Sequence, residues 1–478
     1  MNNRIFLVQF KLEYKAPPLG LLYIADALEK SGFAVKLFYV NSNEVENVSR
    51  QILAEKPLFA GLSCFTSHAL KPSILLSKMI KKSNQRIPIV WGGIHASLFP
   101  EECLNEDYID MVVIGEGEKN IVRLAENLKF CRSLENIEGI GYKVGKKQFI
   151  TPAGVFYDNL DEYEPAWKHI NLEDCLKEDF GRKRVISLIT SRGCPFNCAF
   201  CWNINFYKRR WRGISARKII EQINHLKKNH KIDGVIFEDS NFLIDKKKVF
   251  QIVHNIMIDW GASVRAEALN DEVMAVFKEN GCKFLFVGAE SGSQKMLDLM
   301  HKDIKVKDII NAARLCEKYD IIGRFSFMAG FPGETESDLF NTMDLITQLV
   351  DKYKRVKIFG PKLFTPYPGT EFYEKAIELG FKPPAELKNW ADFTRNRCHL
   401  PWVKNKAAIE SLQFINMLAH NYPKGIMGGL VKKIEEYRWK NKFLLFPFEI
   451  KLVSFLHANQ RVNRLLTKIY GDDGTGKE

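Results

Sequence analysis

The segment "SRGCPFNCAFCWN", residues 191–203, gathers Cys194, Cys198 and Cys201 at the spacing C-x-x-x-C-x-x-C. Thiolates are soft donors, and three of them this close select zinc or an iron–sulfur cluster. A structural zinc site closes with a fourth Cys or His nearby. None follows in the segment; the next histidines are His225, His230 and His254. A four-iron cluster held by three cysteines leaves one iron open, and an open coordination position is what a catalytic metal needs. The other cysteines, at 64, 103, 131, 175, 282, 316 and 398, are scattered singly. Disulfide frameworks belong to small secreted domains, so these read as small buried side chains in a protein of the reducing cytoplasm.

The elements around the cysteines alternate in kind. Strands are expected at "RVISLIT", "DGVIFEDS", "ASVRAEAL", "KFLFVGAES", "IGRFSFMAG" and "RVKIFGPKLF", with helices over 215–230, 246–259, 271–280, 305–319 and 335–352 between them. Six βα units in a row favour a parallel sheet curled into a partial barrel, whose chemistry sits on loops at the carboxyl ends of strands. The cysteines follow the first strand, "EDSN" ends the second, "GAESG" the fourth and "GFPGE" the fifth. All lie on one expected face.

Residues 1–145 repeat the alternation, from "RIFLVQF" and "GLLYIADALEKSG" through "AVKLFYV", "LFAGLSCF" and "IPIVWGG" to "DMVVIGEGE". The pattern predicts a doubly wound parallel sheet that binds ligands at its strand ends. No G-x-G-x-x-G follows the first strand, which disfavours a dinucleotide site. "GGIHAS" and "GEGE" follow the fourth and fifth, where glycine lets backbone approach a ligand or simply makes a tight turn. A hairpin at "IEGIGYKVGKKQFITP" and an irregular linker, 146–182, separate this domain from the barrel at 183–400. Residues 401–478 read as amphipathic helices that pack on the barrel or lie on a membrane surface, ending in "GDDGTGKE", expected to be disordered.

The chain has 478 residues, 46% of them hydrophobic, and a net charge of +13. This composition is globular, and no run of about 18 uncharged apolar residues marks a transmembrane helix. The start "MNNRIFLVQFKLEYK" is not a secretory signal. Basic residues concentrate over 201–232 and 424–478, as a surface for nucleic acid, membrane or an anionic small molecule, or as solvated helix faces. Within "YKRRWRGISARK", Arg212 is the candidate to point inward.

The cysteine spacing, with Gly193 before it and Phe200 within it, resembles the signature of the radical S-adenosylmethionine (SAM) superfamily, and the likeness runs through the barrel. It implies a [4Fe-4S] cluster on Cys194, Cys198 and Cys201, with SAM on the open iron and cleaved to a 5′-deoxyadenosyl radical. Glu238 and Asp239 of "FEDSN" stand where the superfamily meets the SAM amino group, and Glu290 where it meets ribose or the methionine portion. Gly330, with Gly333, stands near adenine. Arg265 pairs with the SAM carboxylate or makes a structural ion pair.

Residues 1 to about 140 resemble the cobalamin-binding domain that precedes many radical SAM barrels, through "PPLGLLYIADALEKSGF", "GLSCFTS", "GGIHASLFPE" and "DMVVIGEGE". The likeness places the cobalamin tail near Ser63, Thr66, Gly92, Gly93, Gly115, Glu116 and Gly117. "KLEYKAPPLG" lacks the D-x-H-x-x-G histidine of methionine-synthase-type domains, which implies base-off cobalamin with no histidine ligand. His68 and His95 sit elsewhere, His95 in the pocket or the core.

The combined resemblance implies an enzyme that methylates an unactivated carbon through the 5′-deoxyadenosyl radical and methylcobalamin, or a cyclase or oxidative rearrangement enzyme with the same cofactors. It implies a small-molecule or lipid-like biosynthetic substrate, an external low-potential electron donor and no nucleic-acid partner. A tRNA methylthiotransferase would need a second cysteine triad, which Cys64, Cys103 and Cys131 do not form. A cobalamin-binding sensor would have no use for three clustered thiolates.

Overall fold

The computed structural model describes residues 3–404, apart from 13, 155 and 394–397, together with 409, 437 and 440–442. The helices expected beyond 401 and the "GDDGTGKE" end fall, for all but a handful of positions, outside the described residues. Two compact units are present. The first holds Met1–Phe196, Trp202–Asp259 and Lys382–Cys398; the second holds Asn197–Cys201, Trp260–Phe381 and, of the described residues, those from His399 on.

The first unit opens with β1 (Arg4–Phe10), buried on both faces from Ile5 onward, as a central parallel strand covered by helices must be. Helix α1 (Leu19–Lys30) buries Leu21, Leu22, Ala25 and Leu28, one apolar stripe at helical spacing. Next come β2 (Ala34–Val40), α2 (Val45–Glu55), β3 (Ala60–Ser63), α3 (Leu70–Ser83) and β4 (Ile89–Gly92). Short helices α4 (Ile94–Leu98) and α5 (Pro100–Asn105) precede β5 (Met111–Val113) and α6 (Glu118–Lys129). The sheet order is β2-β1-β3-β4-β5, all parallel, as the five βα repeats predict.

The expected hairpin forms as β6 (Ile140–Val144) and β7 (Lys147–Ile150). It adds two antiparallel strands to the β5 edge. Ile140 and Tyr142 are buried in the domain's core and Phe149 packs against it, so this sheet runs past the expected boundary at 145. Each large side chain buried there contributes about 1.5–3 kcal/mol.

Still within the first unit, β8 (Lys177–Asp179) pairs antiparallel with β9 (Arg182–Leu188), which pairs parallel with β12 (Gly234–Phe237). Between them lie β10 (Ser191–Arg192), α7 (Asn203–Tyr207), β11 (Arg212–Gly213) and α8 (Ala216–His230); α9 (Lys246–Ile256) follows. From β13 (Asp259–Val264) the chain continues as α10 (Asp271–Glu279), β14 (Cys282–Glu290), α11 (Gln294–Leu299) and α12 (Val306–Lys318). Then come β15 (Ile322–Ala329), α13 (Glu336–Lys352), β16 (Val356–Leu363) and α14 (Glu371–Glu378). Strands β13 to β16 pair in sequence order, all parallel.

Side-chain oxygens of Ser215, Asp245, Asn270, Ser293, Thr335 and Thr370 cap the helices that leave these strands. Caps of this kind satisfy orphan N–H groups and fix where each loop ends. Among the described residues no helix is long and apolar enough to cross a membrane.

Candidate active site

The cysteine loop leaves β9 and is clasped at its base. Ser191 and Arg192 of β10 pair antiparallel with Gly213 and Arg212 of β11. Gly193 follows with φ +83°, and a Cβ there would lie 2.0 Å from the Arg210 carbonyl oxygen. Only glycine fits the turn that delivers Cys194. Asp239 pins the same base: it accepts from the Thr190 N–H at 3.0 Å and the Thr190 hydroxyl at 2.9 Å, and from the Ser191 hydroxyl. Burial raises the Asp239 pKa against these donors. Lys248 donates to the Thr190 carbonyl at 2.9 Å.

The two acids expected near the SAM amino group are therefore placed differently. Asp239 is 3% exposed and engaged by the loop base, whereas Glu238 is open to solvent and accepts from Ser187 at 2.8 Å.

In the second unit the rest of the loop rests on an aromatic bed. Ala199 donates to the Met300 carbonyl at 2.9 Å and accepts from the Phe372 N–H at 3.1 Å. It packs with Met296, Phe331, Phe364 and Phe372, and Phe200 meets Phe331 edge-on. The Cys201 N–H donates to the Cys198 carbonyl at 2.9 Å, turning both residues in one loop. Arg265, placed by sequence at the SAM carboxylate or in an ion pair, pairs with Glu267, donates to the Lys302 carbonyl and donates to Cys198 Sγ at 3.7 Å.

Glu290 ends β14 with φ +62° and accepts from the buried Lys302 ammonium at 2.9 Å. A non-glycine residue held there costs about 1–3 kcal/mol, a strain that gathers at functional sites. At "GFPGE", Gly330 adopts φ +83°; its N–H donates to Glu334 and its carbonyl accepts from Trp402 Nε1 at 3.0 Å. Burial pushes the Glu334 carboxyl up to about 7.

The donor set fits a cluster. Cys194, Cys198 and Cys201 are reduced and partly accessible. Burial pushes Cys175 and Cys316 up to about 12, and Cys64, Cys103 and Cys282 higher still, which makes those thiols poor ligands. Each cysteine of a four-iron cluster binds a different iron, so three ligands need not meet at one ion, and among the described residues none do.

A cavity of about 260 Å³ opens at the carboxyl ends of β1, β3, β4 and β5. Ser63, Gly92, Gly93, Gly115, Glu116 and Gly117 line it, and Leu7, Leu21, Ile24, Val90, Val113 and Ile121 form its apolar depth. Of the residues expected there, Thr66 is the exception: it bonds His95 Nδ1 at 3.0 Å. His95 is fully buried against Phe99 and Trp390, and burial pushes its pKa down to about 3. It is a neutral core residue, and His68 is exposed; neither lines the cavity.

Sequence reasoning missed Tyr23, Phe65, Arg192, Phe206 and Tyr207, which complete the wall. Arg192 donates to Glu118 and to Tyr157, and Arg212 grips Glu116 with both terminal nitrogens at 2.7 and 2.8 Å. Arg212 thus points inward as expected, toward a carboxylate of the "GEGE" loop. Burial opposes the Arg192 charge, and Glu118, Tyr157 and Glu116 together more than offset it.

Comparison with known proteins finds two family matches. Residues 7–125 match the B12 binding domain and residues 188–346 the radical SAM superfamily. The chain is 32% identical over 387 residues to the uncharacterized methyltransferase PH0819 of Pyrococcus horikoshii, covering 79% of this chain and 82% of that protein. It is 25% identical to the anaerobic magnesium-protoporphyrin IX monomethyl ester cyclase of Cereibacter sphaeroides, covering 89% of this chain and 69% of the cyclase. Among solved structures, the radical SAM methyltransferase TsrM of Kitasatospora setae, with cobalamin and a [4Fe-4S] cluster bound, superposes with a TM-score of 0.65 at 18% identity over 80% of this chain and 76% of that one. That likeness shows the fold.

Proposed function

The chain belongs to the cobalamin-dependent radical SAM enzymes, and from that premise we propose that it transfers a methyl group to an unactivated carbon of a small organic substrate. The observation that carries the reading is the cavity, because residues beside the cysteines line the same wall as the glycine loops of the first sheet. When bound, the cluster and SAM supply hydrogen-atom abstraction and cobalamin supplies a transferable methyl. An inert C–H offers no nucleophile, so chemistry of this kind is needed to reach it.

The residues divide the work. Cys194, Cys198 and Cys201 would hold the cluster, with the loop fixed by Asp239, Lys248 and Gly193. Glu238, Glu290 and the Gly330 loop would meet SAM, while Asp239 would act by holding the loop base. The apolar depth of the cavity, between β1, β3, β4, β5 and helices α1 and α6, would take the nucleotide tail, and Ser63, Gly92, Gly93, Gly115 and Gly117 would let it approach the backbone. "KLEYKAPPLG" carries no histidine, and among the described residues neither His68 nor His95 lines the cavity, which supports base-off cobalamin without a histidine ligand. An external low-potential donor in a reducing cytoplasm would supply electrons, and no nucleic acid is required.

Likeness to the cyclase favours a second reading in which no methyl moves. Single turnover with deuteromethyl-labelled SAM and a panel of apolar acids and porphyrin-like substrates separates the two. Labelled methyl in the product supports the transfer; an oxidised or closed ring without label supports the cyclase.

A further inference from the structure

Arg265 is an enclosed charged group beside Cys198 in the second unit. Its side chain is 6% exposed, and Nη1 points at Cys198 Sγ over 3.7 Å. The rest of the guanidinium is committed to Glu267 and to the Lys302 carbonyl. Lys302 is held in turn by Glu290 at 2.9 Å, with both side chains under a tenth exposed. Arg265 is thus fixed in one orientation, and its planar fork leaves a donor on the sulfur.

A charge-assisted N–H on a ligating sulfur stabilises negative charge, and reduction adds an electron to the cluster that the sulfur serves. We propose that Arg265 acts through Cys198 to raise the reduction potential of the cluster, with Glu267 as the counter-charge that limits the effect. The step is the entry of one electron from a low-potential donor; no bond at Arg265 forms or breaks. The inference rests on the cluster assignment above. The two fail separately, because loss of the four-iron spectrum would undo the assignment, whereas the inference concerns only the potential.

The test is an EPR-monitored dithionite titration of reconstituted full-length protein without SAM, alongside iron content and equilibrium SAM binding. Arg265→Met is expected to move the midpoint to more negative values, so that at the wild-type midpoint the reduced fraction falls several-fold, and Arg265→Lys is expected to restore part of it. Glu267→Gln is expected to move the midpoint the opposite way, a sign reversal that a purely structural role does not produce. An unchanged midpoint in Arg265→Met together with weakened SAM binding would overturn the proposal and return Arg265 to the SAM carboxylate. Where Arg265→Met fails to hold iron, Glu267→Gln decides, and an unchanged or lowered midpoint there overturns it.

Discussion

Arg192 donates to the Glu118 carboxylate over 2.6 Å, with side chains 9% and 3% exposed. One residue stands two positions before Cys194; the other opens the helix that follows the glycine loop of the first sheet. With Arg212 and Glu116 they form a charge-balanced set of two cations and two anions, all buried. The loop that carries Cys194 and the loop that lines the cavity are thereby fixed to each other within one unit.

Breaking a buried pair leaves one charge alone, which costs about 3–5 kcal/mol. Arg192→Met should therefore lower the thermal midpoint clearly, with Glu118 stranded. Adding Glu118→Met should recover much of the loss. Thermal unfolding of both variants checks this, and a double variant no better than the single would show that the pair is not coupled.

Gly193→Ala should keep the fold and lose the cluster. A methyl group at that position collides with the Arg210 carbonyl and forces the loop base to shift. The expected result is native-like circular dichroism with a several-fold drop in iron per chain. Full iron incorporation would mean that the turn tolerates a side chain.

Glu334 should make stability depend on pH. Its carboxyl sits near 7 when folded against 4.5 as the ordinary value, so the folded state keeps a proton that the unfolded chain gives up. Its contribution is fully present below pH ~4.5 and is lost as pH rises through ~7, with a slope of at most about 1.4 kcal/mol per unit. Urea midpoints across that window should fall less steeply for Glu334→Gln than for the parent chain.

His95 should prove irrelevant to cobalt. His95→Phe protein loaded with cob(II)alamin should show the same EPR spectrum as the parent, with no nitrogen splitting from the protein in either. Splitting that vanishes in the variant would make His95 the lower ligand.

Much of this was legible in the sequence because the signals are local. Hydrophobic periodicity marks β9, β12 and β13 to β16 and the helices between them, and the spacing of Cys194, Cys198 and Cys201 marks the loop. The Arg192–Glu118 and Arg212–Glu116 pairs were not legible, because partners 74 and 96 residues apart carry no local pattern. The engagement of Asp239 was hidden for the same reason: a buried carboxylate on a loop base and one aimed at a ligand read alike in "FEDSN". The Thr66–His95 bond was hidden for the same reason, since it joins the segment after β3 to α4, 29 residues along the chain.

The central claim is an iron left open to SAM by three protein thiolates. Anaerobically reconstituted, reduced protein should show a four-iron EPR signal that changes on adding SAM, and both signal and change should be lost when Cys194, Cys198 and Cys201 are replaced by alanine. A four-iron signal that survives those replacements, or one that SAM leaves untouched, would contradict it.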